Sequence, residues 1–331
     1  MAKSSSAEDR GRRYFLTGGA GFIGSHLADA FLADGHVDAV TLYDNFTSGR
    51  EWHYEAHAGD GRLRVLRADL RDLTALTEAM AGHDVVVHLA SNPDIARAVS
   101  EPEVDFQQGT YLTNNVLEAM RRSGTRRLLY ASGSGVYGDL GEHEIREDYG
   151  PLVPVSTYGA SKLAGEALIA SYCSMFDLSA CAFRFANVVG GRQTHGVGFD
   201  FLRRLMNNPK RLRILGDGKQ SKSYIHVSDV VNALLHAETH CEEVFAVFNV
   251  ATGDAITVTE IAELAAECLQ LDTMPVFEYT GGDRGWKGDV PVVRLNADKI
   301  RSFGWTCRYS SREAMRASLM AMIGDERVCY V

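Results

Sequence analysis

Short apolar runs alternate with longer stretches of helical spacing through the first 185 residues. Arg13 to Thr17 (RYFLT), Ala39 to Tyr43 (AVTLY), Leu63 to Arg67, Asp84 to Leu89 (DVVVHL), Arg127 to Ala131 (RLLYA) and Ala180 to Phe185 each read as a strand. Helical segments lie between them at Gly24 to Ala33, Leu73 to Ala81, Gly109 to Ser123 and Tyr158 to Tyr172. Strands separated by helical lengths predict βαβ units and a parallel sheet. The strands are apolar almost throughout rather than alternating, which fits a sheet covered on both faces. The expected class is α/β with a doubly wound parallel sheet.

Beyond Phe185 that rhythm breaks. Glycine-rich loops follow at Val189 to Gly198 and Gly216 to Ser223, and a strand returns at Val247 to Val250. A helix at Thr259 to Leu269 and a last one at Arg312 to Ile323 complete the pattern. Two domains are expected: a larger one over 13–185 plus about 223–250, and a smaller C-terminal α/β one over about 186–222 plus 251–331. A length of 331 residues, at roughly 150 residues per domain, points the same way.

Charge narrows the partners. Lys and Arg number 34 and Asp and Glu 43, for a net −9, which argues against the polyanions nucleic acid and anionic membrane. Cys173, Cys181, Cys241, Cys268, Cys307 and Cys329 form no C-x-x-C pair and no Cys/His cluster. A disulfide scaffold and a metal site are therefore not expected, and reduced thiols in a cytoplasm are. No apolar run approaches the ~20 residues of a membrane span. Met1 to Arg13 is polar, lacks the apolar segment of a signal peptide, and reads as a frayed tail.

Candidate chemistry begins where the first strand ends. Gly18, Gly21 and Gly24 form G-x-x-G-x-x-G at a strand-to-helix turn, with Phe22 and Ile23 inside the motif. Such glycines permit a tight turn, close approach of a pyrophosphate, and close helix-on-strand packing. The helix start then offers free N–H groups to phosphates. Asp44 ends the second strand, 20 residues after Gly24. A carboxylate there accepts from ribose hydroxyls and repels a 2′-phosphate, which favours NAD over NADP. Asp69, ending the third strand, either reaches the adenine amino group or caps a helix before Leu70 and Asp72. Leu89, Ala90 and Ser91 end the fourth strand, at the edge where such sheets bind ligands.

Tyr158 and Lys162 stand four apart in STYGASK, a spacing that puts both on one helix face. A phenol of pKa about 10 is too weakly acidic to serve as a base at neutral pH. A nearby Lys cation and an oxidised nicotinamide each favour phenolate. A drop of ~3 units corresponds to roughly 4 kcal/mol and tunes the phenol to exchange a proton with a substrate hydroxyl.

Together with Asn45, Ser48 and Gly49 after Asp44, and with HLAS at 88–91, VYG at 136–138 and RFAN at 184–187, these motifs resemble the extended short-chain dehydrogenase/reductase family. Within it the chain is most similar to nucleotide-sugar epimerases of the UDP-galactose 4-epimerase type, over about residues 13 to 320. The resemblance implies a Rossmann-type sheet, bound NAD, and a UDP-hexose or UDP-hexuronate inverted at carbon 4 through a transient 4-keto sugar. It implies that Tyr158 moves the proton and that Ser132 lies in the cofactor site. Asn187, Lys222 and Arg284 would hold the diphosphate, and the helices from Gly109 and Tyr158 would pair two subunits as a homodimer. Arg192 would face a sugar carboxylate if the substrate is UDP-glucuronate. His195 is a further candidate for substrate contact. His26, His88 and His226 read as packing or hydrogen-bonding groups, and a medium-sized Val293 leaves room beside the sugar.

One position departs from the family. A Ser or Thr normally stands three residues before the Val of Val-Tyr-Gly, and here that residue is Gly133. Ser134 or Ser132 supplies the hydroxyl instead, or Tyr158 works alone with water in the gap, or the site is inactive. The family's dehydratases carry Asp-Glu just before Val-Tyr-Gly, and its UDP-glucuronate decarboxylases usually a Glu. Ser134 and Gly135 stand there. Epimerisation is the expected reaction, with decarboxylation or dehydration, and non-catalytic nucleotide-sugar binding, as the alternatives.

Overall fold

The computed structural model describes residues 10–325 and Arg327. Met1 to Asp9, most of the expected tail, and Cys329 lie outside the described residues. Seven strands form one sheet: β1 Arg12–Thr17, β2 Val37–Asp44, β3 Leu63–Arg67, β4 Val85–His88, β5 Arg127–Gly133, β6 Ser179–Phe185 and β7 Phe245–Val250. Their spatial order is β7-β6-β5-β4-β1-β2-β3, with every pair parallel. The winding thus reverses between β1 and β4, and such a reversal opens a crevice at the carboxyl ends of the strands.

Helices α1 Phe22–Ala33 and α6 Val227–His240 cover one face and α2 Leu73–Met80, α3 Tyr111–Ser123 and α4 Thr157–Phe176 the other, while α5 Val197–Asn207, α7 Val258–Cys268 and α8 Ser311–Ile323 pack apart from the sheet. One core cluster takes Leu16, Leu42 and Val87 with Leu27 and Phe31 of α1 and Val230 and Leu234 of α6. The other side of the sheet packs Phe15, Val86 and Leu128 against Leu76 of α2, Val116 and Leu117 of α3 and Ile169 of α4. Adjacent strand residues therefore point into opposite cores, which is why the central strand sequences are mostly apolar rather than alternating. A third cluster joins α5, α7 and α8 through Phe199, Leu202, Leu205, Ile261, Leu264, Met315 and Leu319.

Two helices lie where the sequence reading placed none. α5 begins inside the Val189 to Gly198 stretch expected to be loop, directly after Gly196, whose φ of 105° lets the chain turn. α6 fills the interval between the second glycine-rich loop and β7. Its buried Val227, Val230, Val231 and Leu234 follow helical spacing. α3 also starts later than Gly109, because Phe106–Thr110 forms a single π-helical turn ahead of it.

Candidate active site

The glycine-rich turn joins β1 to α1, with Gly21 as the helix cap. Gly18 has φ of 69°, and a Cβ there would come within 2.8 Å of the Ala90 nitrogen. A Cβ on Gly24 would stand 2.6 Å from the Gly19 carbonyl. Neither position tolerates a side chain, so the backbone alone lines this wall. Asp44 reaches back to the same turn. Its Oδ2 accepts from Ala20 N at 3.0 Å and its Oδ1 from Phe46 N at 2.7 Å. Burial raises the Asp44 pKa, while those two donors and Arg67 oppose it. His53, absent from the sequence reading, braces the turn by donating from Nδ1 to Ala20 O at 2.6 Å. Burial lowers its pKa, so it is a neutral donor. Nothing in its sequence surroundings marks it, since it sits in a short 3₁₀ turn far from the motif.

Phe22, Ile23, Asn45, Ser48, Asp69, Leu70, Leu89, Ala90, Ser91 and Ser132 join Gly18, Gly21, Gly24 and Asp44 around one cavity of about 1040 Å³. Gly49 stands behind that wall, where a Cβ would press on Ala20 and Asp44 at 3.0 Å. The helix cap weighed for Asp69 belongs to Asp72, which accepts from Ala75 N. Asp69 instead turns onto Arg71 N at 2.9 Å.

Tyr158 and Lys162 open onto the same cavity. Ser156 caps α4 by accepting from Gly159 N at 3.1 Å, which sets where the helix starts and hence the face both residues share. The Lys162 ammonium lies 5.5 Å from the Tyr158 ring centre and donates to Ala131 O at 2.8 Å. Burial brings its pKa down to about 8, against the attraction of Asp105 and Glu166. The Tyr158 phenol moves the other way. Burial raises it most, Asp105 adds to the rise, and the Ser91 hydroxyl pulls it down.

The hydroxyls around Gly133 are separated by the fold. Ser132 donates to Glu166 Oε1 at 2.6 Å. Glu166 is clamped by Arg184 at 2.7 Å, and Arg184 also donates to the Tyr137 hydroxyl at 2.8 Å. Tyr137 in turn donates to Asn249 Oδ1 at 2.7 Å. This buried network ties β5, α4, β6 and β7 together. Gly133 is extended, and a Cβ there would meet nothing within 4 Å. Ser134 begins a 3₁₀ turn and lines the cavity.

Asn187 and Lys222 line the other side of the cavity. Asn187 is exposed and donates to Ser223 O at 3.3 Å, and Lys222 pairs with Asp289 Oδ1 at 2.6 Å. Arg284 is not on the lining. It donates to Asp289 O and to Asp139 Oδ2, each at 2.6 Å. Arg192 is not brought into the cavity either: it pairs with Asp29 of α1 at 2.8 Å. The backbone reverses at Arg192, with φ of 65°, and delivers its side chain to α1. His195 does line the cavity, its pKa lowered by burial against the pull of Asp200 and Asp94. Val293 lines it as well. Among the histidines read as packing groups, His26 bonds Gly191 O at 3.0 Å and His88 lies between Thr17 and Thr113 at 2.7 and 3.1 Å. His226 meets Ser228 at 2.8 Å.

A turn that only glycine can line, a carboxylate braced beside it and a Tyr–Lys pair on a facing helix define a dinucleotide-dependent site. Residues 14–251 match the model of the NAD dependent epimerase/dehydratase family. The chain belongs to that family, and it is an NAD-dependent enzyme of the epimerase type. A UDP-glucose 4-epimerase of Mycolicibacterium smegmatis is 34% identical over 301 residues, 88% of this chain and 93% of that protein. A crystal structure of a UDP-galactose 4-epimerase superposes with a TM-score of 0.83 at 36% identity, covering 94% and 98% of the two chains. MoeE5, solved in complex with UDP-glucuronic acid and NAD, superposes at 0.82 with 29% identity, covering 94% and 99%.

Proposed function

We propose that this protein interconverts the carbon-4 epimers of a UDP-hexose or UDP-hexuronate through a transient 4-keto sugar. The observation that carries the reading is one cavity shared by the glycine-rich turn, the Tyr158–Lys162 pair and Lys222. The turn and Asp44 hold NAD, which when bound takes hydride from carbon 4 and returns it. Tyr158 accepts the sugar's hydroxyl proton and gives it back. Lys162, anchored on Ala131 O, supplies positive charge at the cofactor end of the cavity. Asn187 and Lys222 hold the diphosphate, and Arg284 stands behind them, closing the loop onto Asp289.

The substrate reading favours a neutral sugar. Arg192, the side chain suited to a sugar carboxylate, stands outside the cavity lining, turned to Asp29 of α1. Decarboxylation and dehydration are disfavoured by a cavity wall that carries Ser134 and Gly135 and no carboxylate at the turn. Two lobes divide the work in this reading: 13–185 plus about 223–250 for NAD, and the remainder, with its own apolar cluster, for the nucleotide sugar. A homodimer in the cytoplasm completes the proposal. Supporting the pairing, Phe106 before α3, Tyr111 on α3 and Met175 on α4 leave apolar side chains exposed. Among the described residues no helix is long and apolar enough to cross a membrane.

Proton NMR of the purified protein with UDP-glucose, UDP-glucuronate and UDP-N-acetylglucosamine in separate tubes tests the reading. Conversion of one to its galacto isomer is the expected result. Release of carbon dioxide, or a stable 4-keto product, would overturn it. A Tyr158→Phe variant that still turned over at the parent rate would overturn the assigned mechanism.

A further inference from the structure

Trp286 is a large aromatic side chain with no core to pack in. It belongs to none of the three apolar clusters among the described residues, yet it is half-buried and lines the cavity. The other tryptophans differ. Trp305 is buried in the sheet core, and Trp52 lies under the Arg327 guanidinium, outside the lining. The backbone fixes where Trp286 stands. Asp289 N donates to Trp286 O at 3.1 Å and Gly288 has φ of 93°, so residues 286–289 form a tight turn with glycine at its left-handed position. The Asp289 carboxylate secures that turn, accepting from Gly285 N at 3.1 Å and pairing with Lys222 at 2.6 Å. The far edge of the indole reaches toward α4. A Cβ on Gly288 would stand 3.0 Å from Trp286 Cζ3 and 3.5 Å from Ser156 Cβ. Ser156 caps α4 two residues before Tyr158. The indole therefore lies between the start of the helix that carries Tyr158 and the ion pair of Lys222.

In the proposed reaction carbon 4 of the hexose sits at Tyr158, and carbon 1 carries the diphosphate held at Lys222, so the sugar ring spans that interval. We infer that Trp286 is the wall on which the hexose ring rests, its indole packing against the C–H groups of the sugar and making the site prefer a UDP-sugar to UDP alone. A pyranose presents C–H groups as well as hydroxyls, and an indole offers a broad apolar face to them. Apolar contact has no preferred direction, unlike a hydrogen bond. The same wall therefore serves either carbon-4 epimer and the keto sugar between them, which has to turn over inside the cavity.

The inference rests on the UDP-sugar reading of the cavity, and a titration with UDP alone separates the two. Isothermal titration calorimetry with UDP-glucose, UDP-galactose and UDP is run on the NAD-loaded parent, Trp286→Ala, Trp286→Phe and Lys287→Ala. Trp286→Ala is expected to weaken both sugar nucleotides about 10-fold and by similar factors, which corresponds to about 1.4 kcal/mol. The Kd of UDP should not change. Trp286→Phe should recover most of the loss, because a smaller aromatic face remains. Lys287→Ala alters an exposed side chain of the same turn, outside the lining, and should change none of the three affinities. Equal weakening of UDP and the sugar nucleotides in Trp286→Ala overturns the inference, since the indole would then only brace the turn. Unchanged sugar binding overturns it as well. If the sugar nucleotides bind without turnover, the epimerase reading fails, and the difference between sugar nucleotide and UDP still decides the role of Trp286. If neither UDP nor a UDP-sugar binds the parent protein, the functional reading and the inference fall together.

Discussion

Lys162 and Ala131 are joined by a hydrogen bond of 2.8 Å from the buried ammonium to a strand carbonyl. The bond pins a charge from α4 to the end of β5, under the cofactor end of the cavity. The same ammonium stands 5.5 Å from the centre of the Tyr158 ring, so one anchored charge lies beside the phenol.

The charge on Lys162 sets a pH limit. Its pKa is lowered to about 8 by burial, so the cation is complete below that pH and lost as pH rises through it. In the proposed reaction kcat/KM, which reports the free protein, should fall on the alkaline side from about pH 8. A pH profile at low substrate measures this, and Lys162→Met should lack that limb while losing most activity.

Tyr158→Phe removes the exchangeable proton and little else. Turnover should drop about 10²- to 10⁴-fold, the span of general acid–base contributions. NAD retention, read by the absorbance of released cofactor, should not change, because the glycine-rich turn and Asp44, which hold the cofactor in this reading, are untouched.

Gly18→Ala should abolish NAD retention. The residue has φ of 69°, and its new methyl would stand 2.8 Å from Ala90 N. The left-handed conformation alone costs a non-glycine residue about 1 kcal/mol, and the clash forces the turn open. Cofactor content after gel filtration checks it.

Glu166→Ala should destabilise the protein by about 3–5 kcal/mol, the usual cost of stranding one partner of a buried ion pair. Arg184 is left uncompensated, and the Ser132 hydroxyl loses its acceptor. Denaturant unfolding measures the loss. The same variant frees Ser132, so any activity it retains should carry an altered pH profile.

The class of fold and the location of the chemistry were legible in the chain because both are local. Strand and helix periods, the glycine spacing from Gly18 to Gly24, and the four-residue step from Tyr158 to Lys162 depend on nothing distant. All seven sheet strands were expected near their places. Helices α5 and α6 escaped because glycine-rich neighbours masked their apolar spacing. The roles of the polar side chains were another matter. Whether Ser132 faces a substrate or Glu166 and whether Arg192 faces a sugar or Asp29 are settled by partners 34 and 163 positions away. By itself the sequence determined a parallel sheet, a dinucleotide turn and a Tyr–Lys pair on one helix face. The tertiary structure alone decided which polar groups are paired off and which are left for a ligand, because a hydrogen bond goes to whichever partner packing brings within about 3 Å.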